Sequence, residues 1–327
     1  MVETVNIADI EKAAARLDGV SVHTPLLQNF ELDQAVGGKV LIKPECLQVT
    51  GSFKIRGAYN RLSQLTDEQA SNGVVAWSSG NHAQGVAAAG AMLGIQTTIV
   101  MPEDAPRAKL ENTKRLGGEV VTYDRYTGDR EVIAKQIAAE RDAALVPSYD
   151  HPHIIAGQGT VGLELATDAI DLGLPPDQVL IPCGGGGLSS GSALALKSRL
   201  PNVDIYAVEP EDFDDTARSF ATHERVRIDD SARSICDALQ TPMPGELTFE
   251  INERLLSGVL TVSDAEVRAA IRFAFKNLKL VVEPGGAVAL AAILSGKLET
   301  KGLTTAIVLS GGNIDVDLFA EIQAEPK

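Results

Sequence analysis

From residue 73 to residue 210 the chain repeats one pattern, a short β-branched apolar run followed by an Ala-rich stretch of helical character. The runs GVVAW (73–77), TTIVM (97–101), EVVTY (119–123), ALVPS (144–148), QVLIPC (178–183) and DIYAVE (204–209) are predicted strands. Helices are predicted between them, including 81–93 and 128–141. A further strand, TAIVLS (305–310), follows two helical stretches near 265–279 and 286–295. Strands alternating with helices specify a parallel, doubly wound sheet, because each crossover helix covers a sheet face that must be buried.

An extended segment at 38–43 and the late strand at 305–310 also need sheet partners, and with the strands after 178 they can build one larger sheet. The expectation is an α/β, two-lobed fold with parallel-rich, helix-flanked sheets. A large domain would take 1–71 plus 150–327, and 72–149 would form a small inserted α/β domain. No Pro/Ser linker, low-complexity segment or tandem repeat marks those boundaries. In such a fold ligands collect where strand ends meet helix starts, in the cleft between lobes.

Composition narrows the partners. The 327 residues are 44% hydrophobic and 22% charged, ordinary for a globular protein with enough chain for two lobes. Asp plus Glu total 44 against 29 Lys plus Arg, a formal charge of −15 with no local basic cluster, which argues against nucleic acid or an anionic membrane as partner. No apolar window is long enough for a spanning helix, and the opening MVETVNIADIEKAAARLDG has no basic start leading into an apolar run. Cys46, Cys183 and Cys236 are odd in number and widely spaced, so neither a disulfide framework nor a four-thiolate zinc site is expected. A cytoplasmic location follows as the expectation.

Four segments just after extended runs carry candidate chemistry. In Thr50-Gly51-Ser52-Phe53-Lys54-Ile55-Arg56-Gly57, an amine beside Phe53 and glycines can be desolvated, which lowers its pKa and makes it a nucleophile toward an aldehyde. A lone lysine is ordinarily a surface charge, and Phe53 by itself reads equally as core. In Gly184-Gly185-Gly186-Gly187-Leu188-Ser189, four residues without side chains let backbone N–H groups converge on an anion at a helix start. A plain turn would not need four glycines, whose ordering costs entropy. Ser78-Ser79-Gly80-Asn81-His82 offers hydroxyl, amide and backbone donors at a helix start, suited to a carboxylate, with Asn81 able to reach a phenolic oxygen. An N-cap would explain one of those serines, and His82 alone reads as a helix residue. Ser310-Gly311-Gly312-Asn313 places a hydroxyl at a strand end, where it can hydrogen-bond a ring nitrogen. The glycine run lacks the Lys-Ser/Thr ending of a Walker loop and does not follow an early strand. Glu209 nevertheless lies about 20 residues beyond Gly187, which keeps a nicotinamide enzyme as an alternative.

Together, SFKIRGA, SSGNHAQ, GGGGL and SGGN closely resemble the serine racemase and threonine/serine dehydratase family, including 3-hydroxyaspartate dehydratases, of the tryptophan-synthase-β-like fold type II of pyridoxal-phosphate enzymes. The resemblance runs from Thr24-Pro25-Leu26 to Asn313 in the family's order. It implies pyridoxal 5'-phosphate held as a Schiff base on Lys54, with Phe53 flanking the ring, Asn81 at the ring hydroxyl, Gly184, Gly185, Gly186, Gly187 and Leu188 at the phosphate and Ser310 at the ring nitrogen. It further implies that Ser79 faces Lys54 across the ring and that the Ser78–His82 loop holds the substrate carboxylate. Glu209-Pro210-Glu211-Asp212-Phe213-Asp214-Asp215 resembles the family's divalent-cation loop, with Glu209 and Asp215 as carboxylate ligands and Phe213 giving its carbonyl. Magnesium, manganese or calcium suits such oxygen ligands. The family often has alanine where Phe213 stands, and a solvated acidic loop is the plain alternative. In the segment Asp124-Arg125-Tyr126-Thr127-Gly128-Asp129-Arg130, Arg130 matches an arginine that in racemases of this family approaches the far carboxylate of a dicarboxylic ligand.

The expected function is therefore a dehydratase acting on serine, threonine or 3-hydroxyaspartate, as a homodimer with a small-molecule substrate. An amino-acid racemase using the same site is the alternative. A non-catalytic sensor that retains the fold is the reading from another class.

Overall fold

The computed structural model describes residues 5–105, 107–124, 127–229 and 231–325. Its strands are β1 (Leu27–Gln28), β2 (Lys39–Pro44), β3 (Val74–Trp77), β4 (Thr97–Pro102), β5 (Glu119–Tyr123), β6 (Ala144–Leu145), β7 (Gln178–Pro182), β8 (Asp204–Pro210), β9 (Gly258–Val262) and β10 (Thr304–Leu309). They form two sheets, one of order β1-β2-β10-β7-β8-β9 and one of order β5-β4-β3-β6. Every pairing is parallel except β1 with β2. β10 lies between β2 and β7, the long-range closure that the late TAIVLS run required.

The four-stranded sheet lies wholly within 72–149, and the six-stranded sheet takes its strands from before and after that range. The apolar core of the smaller sheet does not respect those limits. Ile55, Ala58 and Leu62 of helix Lys54–Leu62, together with Ile154, pack with Val74, Ala76 and Ala83. The opposite side of the same helix meets helix Pro152–Asp171, where a side chain on Gly157 would strike the Arg56 carbonyl at 2.5 Å. The helix that begins at Lys54 is thus wedged between the two sheets' territories.

Departures from the expected elements have local causes. ALVPS shortens to the two residues of β6, an edge strand whose last bond to β3 is from the Val146 N–H to the Val75 carbonyl, and Pro147 sits where its missing N–H would face the open edge. Helix 128–141 begins at Arg130, since Asp129 caps it by accepting from Glu131 and Val132. The stretch 265–279 is α-helical over Asp264–Phe273 and then widens into a π-helical turn, Ala274–Leu278, ending at Lys279 with φ 61°. Two pairings that the pattern does not announce, β1 and the partly exposed edge strand β9, complete the larger sheet.

Candidate active site

Lys54 opens its helix after a tight turn through Thr50 (φ 63°) and Gly51 (φ 72°). Gly51 is obligatory there twice over, by its left-handed backbone and because a Cβ would sit 2.6 Å from Asn313 Oδ1. The turn is stitched to the Ser310 loop: Phe53 N–H donates to Ser310 O (3.2 Å), Gly312 N–H donates to Gly51 O (2.9 Å), and Ser52 bridges Gly311. Two segments more than 250 residues apart in sequence thereby form one wall.

The Lys54 side chain retains some surface, but its amine is enclosed by protein. It donates to the Ser148 carbonyl at 2.9 Å and lies 5.1 Å from the centre of the Phe53 ring. Burial pulls its pKa down to about 8, against an opposing pull from Glu283. A fraction of the amine is therefore neutral and nucleophilic at physiological pH.

The Ser78–His82 segment follows β3. Helix Asn81–Leu93 crosses the Lys54 helix at Gly85, where a Cβ would lie 3.0 Å from the Lys54 carbonyl carbon. Ser78 and Ser79 are half-buried, and the Ser78 hydroxyl accepts from the Gly80 N–H (3.2 Å). Asn81 is buried, its Oδ1 accepting from Asn313 Nδ2 (2.8 Å) and its Nδ2 donating to Glu283. His82 points elsewhere: its Nε2 bonds the Val146 carbonyl (2.9 Å), and burial beside the Lys54 charge pushes its pKa down to about 3. A neutral imidazole there ties helix to strand, and only the backbone N–H of His82 faces the open helix start.

The glycine run lies between β7 and helix Gly187–Arg199, which starts without a side-chain cap and so leaves its first N–H groups available. Gly186 has φ 91°. Each glycine is pressed by a wall. A Cβ on Gly185 would enter the Tyr149 ring at 2.3 Å, and one on Gly187 would meet Gln158 at 2.5 Å. Leu188 and Ser310 are buried beside this loop and at the end of β10, respectively.

Arg130 is the exposed first residue of its helix, and Asp129 spends its carboxylate on backbone N–H groups. The positive charge of Arg130 reaches the half-buried Tyr149 phenol. Burial and the charges of Asp150 and Asp215 push that phenol up, and Arg130 opposes them. Arg125 and Tyr126 of the same segment lie outside the described residues.

Glu209, at the end of β8, and Asp215 are both fully buried. Glu209 accepts the N–H groups of Thr216 (3.1 Å) and Ala217 (3.0 Å), whereas neither carboxylate oxygen of Asp215 has a hydrogen-bond partner among the described residues. Burial raises the pKa of each, and for Asp215 the charge of Glu209 adds to it. Phe213 is buried in the intervening turn Glu211–Phe213.

Comparison with known proteins fixes the family. A profile described as "Pyridoxal-phosphate dependent enzyme" matches residues 19–311. This chain belongs to that family. Its relatives include an L-threo-3-hydroxyaspartate ammonia-lyase of Pseudomonas sp, 45% identical over 314 residues that cover 96% of this chain and 97% of the relative. A serine racemase of Schizosaccharomyces pombe is 41% identical, covering 97% of each chain. The crystal structure of a T.th. threonine deaminase superimposes with a TM-score of 0.89 at 42% identity, covering 95% of this chain and 99% of that one. The family places the protein among fold type II, tryptophan-synthase-β-like enzymes, and pyridoxal phosphate is its cofactor. The nicotinamide alternative is thereby set aside. No helix among the described residues is long and apolar enough to cross a membrane, and the three cysteines are free.

The sequence reading missed two residues of this neighbourhood. Glu283 had a faint signal, an acid before Pro-Gly-Gly at the end of an apolar run, which marks a helix start with proline at its first position. Tyr149 had none.

Proposed function

We propose that the protein is a pyridoxal-phosphate-dependent ammonia-lyase that removes water and then ammonia from a β-hydroxy amino acid, leaving a 2-oxo acid. The observation that carries this reading is the Lys54 amine, enclosed, lowered to about 8 and set beside an uncapped glycine-rich helix start. These residues fit the cofactor. Lys54 would hold its aldehyde, Gly184–Gly187 and Leu188 its phosphate, Asn81 its ring hydroxyl and Ser310 its ring nitrogen, with Phe53 against the ring. When bound, the conjugated ring supplies a sink for the electron pair left at Cα.

The helix start at Ser78–His82 would bind the substrate carboxylate through N–H and hydroxyl donors. Lys54, once released by the substrate amine, would take the Cα proton, a task suited to an amine that titrates near neutrality. Ser79 would return a proton from the opposite side, which makes racemisation the second reading. Among substrates, 3-hydroxyaspartate is favoured by the match of Arg130, exposed at the start of its helix, to the family's arginine that approaches a far carboxylate, since an arginine can pair bidentately with a β-carboxylate and gains nothing from the methyl of threonine.

A magnesium, manganese or calcium ion is proposed at Glu209, Asp215 and the Phe213 carbonyl, supported by the two partnerless oxygens of Asp215. The working form is proposed to be a cytoplasmic homodimer. Phe30 and Phe275 are exposed on segments joined by the Asn29–Asn277 hydrogen bond, and a second copy would cover them.

The test is a panel of β-hydroxy amino acids assayed for 2-oxo acid, ammonia and inverted enantiomer. Lys54→Ala is expected to abolish elimination, and turnover retained without an added amine would overturn the assignment. Arg130→Ala should penalise a hydroxyaspartate isomer more than serine. Good turnover of threonine with poor turnover of every hydroxyaspartate isomer would leave the plain threonine/serine dehydratase. Ser79→Ala should cost racemisation more than elimination, and equal losses would remove its assigned role.

A further inference from the structure

Glu283 is a buried carboxyl that the chemistry above does not use. It stands at the N-cap of helix Pro284–Leu294, and its backbone is tied to the Ser310 loop by its N–H donating to Gly311 O (3.1 Å). Its Oε1 accepts from Asn81 Nδ2 at 2.5 Å. The approach is possible only because Gly311 has no side chain, since a Cβ there would lie 2.1 Å from Glu283 Oε1 and 3.2 Å from Asn81 Nδ2. Gly286 makes room for the same loop, because its Cβ would meet Gly311 O at 2.4 Å.

On the other side of the amide, Asn81 Oδ1 accepts from Asn313 Nδ2, which also reaches the Thr50 carbonyl (2.8 Å each). An asparagine amide has one oxygen and two N–H donors, and which way it faces is decided by its partners. Asn313 can only donate to Oδ1, and Glu283 accepts one N–H. The amide is thereby locked in one orientation with its second N–H uncommitted by either partner.

We infer that Glu283 is a positioning residue for the cofactor: with Asn313 it fixes the Asn81 amide so that the remaining N–H is presented to the ring hydroxyl beside Lys54. The inference rests on the reading of Asn81 as the ring-hydroxyl contact and adds what orients it. The groups that act on Glu283 come from four elements. Burial and Asp237 raise its pKa to about 7, while Asn81, Lys109 and Lys54 lower it, and the thiols of Cys46 and Cys236 feel its charge. In either protonation state the carboxyl keeps an acceptor oxygen for Asn81.

A double-mutant cycle tests this role. The apoprotein is titrated with pyridoxal phosphate and the visible band of the bound cofactor gives the dissociation constant for the parent, N81A, E283A, N81A/E283A and E283Q. N81A and E283A should each weaken binding about tenfold, the cost of one buried hydrogen-bonding group left unpaired. The double variant should be no weaker than N81A, and E283Q, which keeps an acceptor, should bind within about threefold of the parent. An E283A effect of full size in the N81A background, an absent effect, or a Gln variant as weak as the Ala variant overturns the role of Glu283 alone. Unchanged affinity in N81A removes the contact itself and overturns both readings. If E283A does not fold, E283M, of similar volume and without an acceptor, replaces it in the cycle.

Discussion

Two clusters of buried carboxylates in this molecule are built on opposite terms. Around Arg56, Glu45 and Glu164 meet cations that the chain itself supplies. The guanidinium spans Glu45 (2.8 Å to each oxygen) and Glu164 (2.6 and 2.9 Å), and the fully buried Lys43 adds a 2.7 Å contact to Glu164. The remaining valences are filled by Thr24, Thr160 and the Val22 carbonyl. At Glu209 and Asp215 the described residues supply two N–H groups to the first carboxylate and no hydrogen bond to the second. A buried charge must be paired or neutralised. The first cluster closes on itself and pins the helix carrying Lys54, whereas in the second burial pushes both carboxyls up, and the proposed cation would supply the missing charge.

The largest expected effect comes from opening the closed cluster. Arg56→Met should cost about 3–5 kcal/mol in urea unfolding of the apoprotein, because Glu45 is left buried without a cation and Glu164 keeps only Lys43. Replacing Arg56, Glu45, Glu164 and Lys43 together by apolar residues should recover most of that loss, and a quadruple variant as unstable as the single one would break the comparison. Next, a divalent cation at about 100 times its dissociation constant should add about 2.7 kcal/mol, read as a rise in melting temperature that a chelator reverses. Asp215→Asn should remove the response. If neither chelator nor metal moves the parent, the second site needs no cation and the contrast fails.

Acid should act mainly on the closed cluster. Burial alone would raise the Glu164 carboxyl, but the hydrogen bonds and charges of Arg56 and Lys43 hold it below the ordinary range. A folded pKa below the unfolded one gives stability that is present above pH ~4.3 and is lost as pH falls through the folded value. Glu164→Gln should flatten that acid limb, and an unchanged limb would place the acid sensitivity elsewhere. The smallest effect belongs to an exposed pair, Arg141 with Glu119 (2.8 Å), whose removal should cost about 0.2–1 kcal/mol in the same unfolding measurement.

The residues proposed to carry the chemistry were legible because each sits in a compact local motif. Lys54, the Ser78–His82 run, Gly184–Gly187 and Ser310 all follow extended segments, and the structure brings all four together. Glu209 and Asp215 were legible as a loop resembling a divalent-cation site, with a solvated acidic loop as the alternative, and their complete burial was not, since that depends on packing. His82 entered the carboxylate loop through the family resemblance, and that its ring bonds the Val146 carbonyl was not legible.

Hydrophobic periodicity by itself determined the alternation of strands and helices, and through it a parallel architecture whose strand ends gather ligand-binding groups. Only the tertiary structure decided that Asn81 meets Glu283 across 202 positions and that Arg56 meets Glu164 across 108. It also decided that Tyr149 presses on Gly185 and that the Lys54 helix joins the smaller sheet's core to helix Pro152–Asp171. Local pattern encodes which face of an element is buried. What that face meets, and whether a buried charge finds a partner there, is set by how distant elements pack.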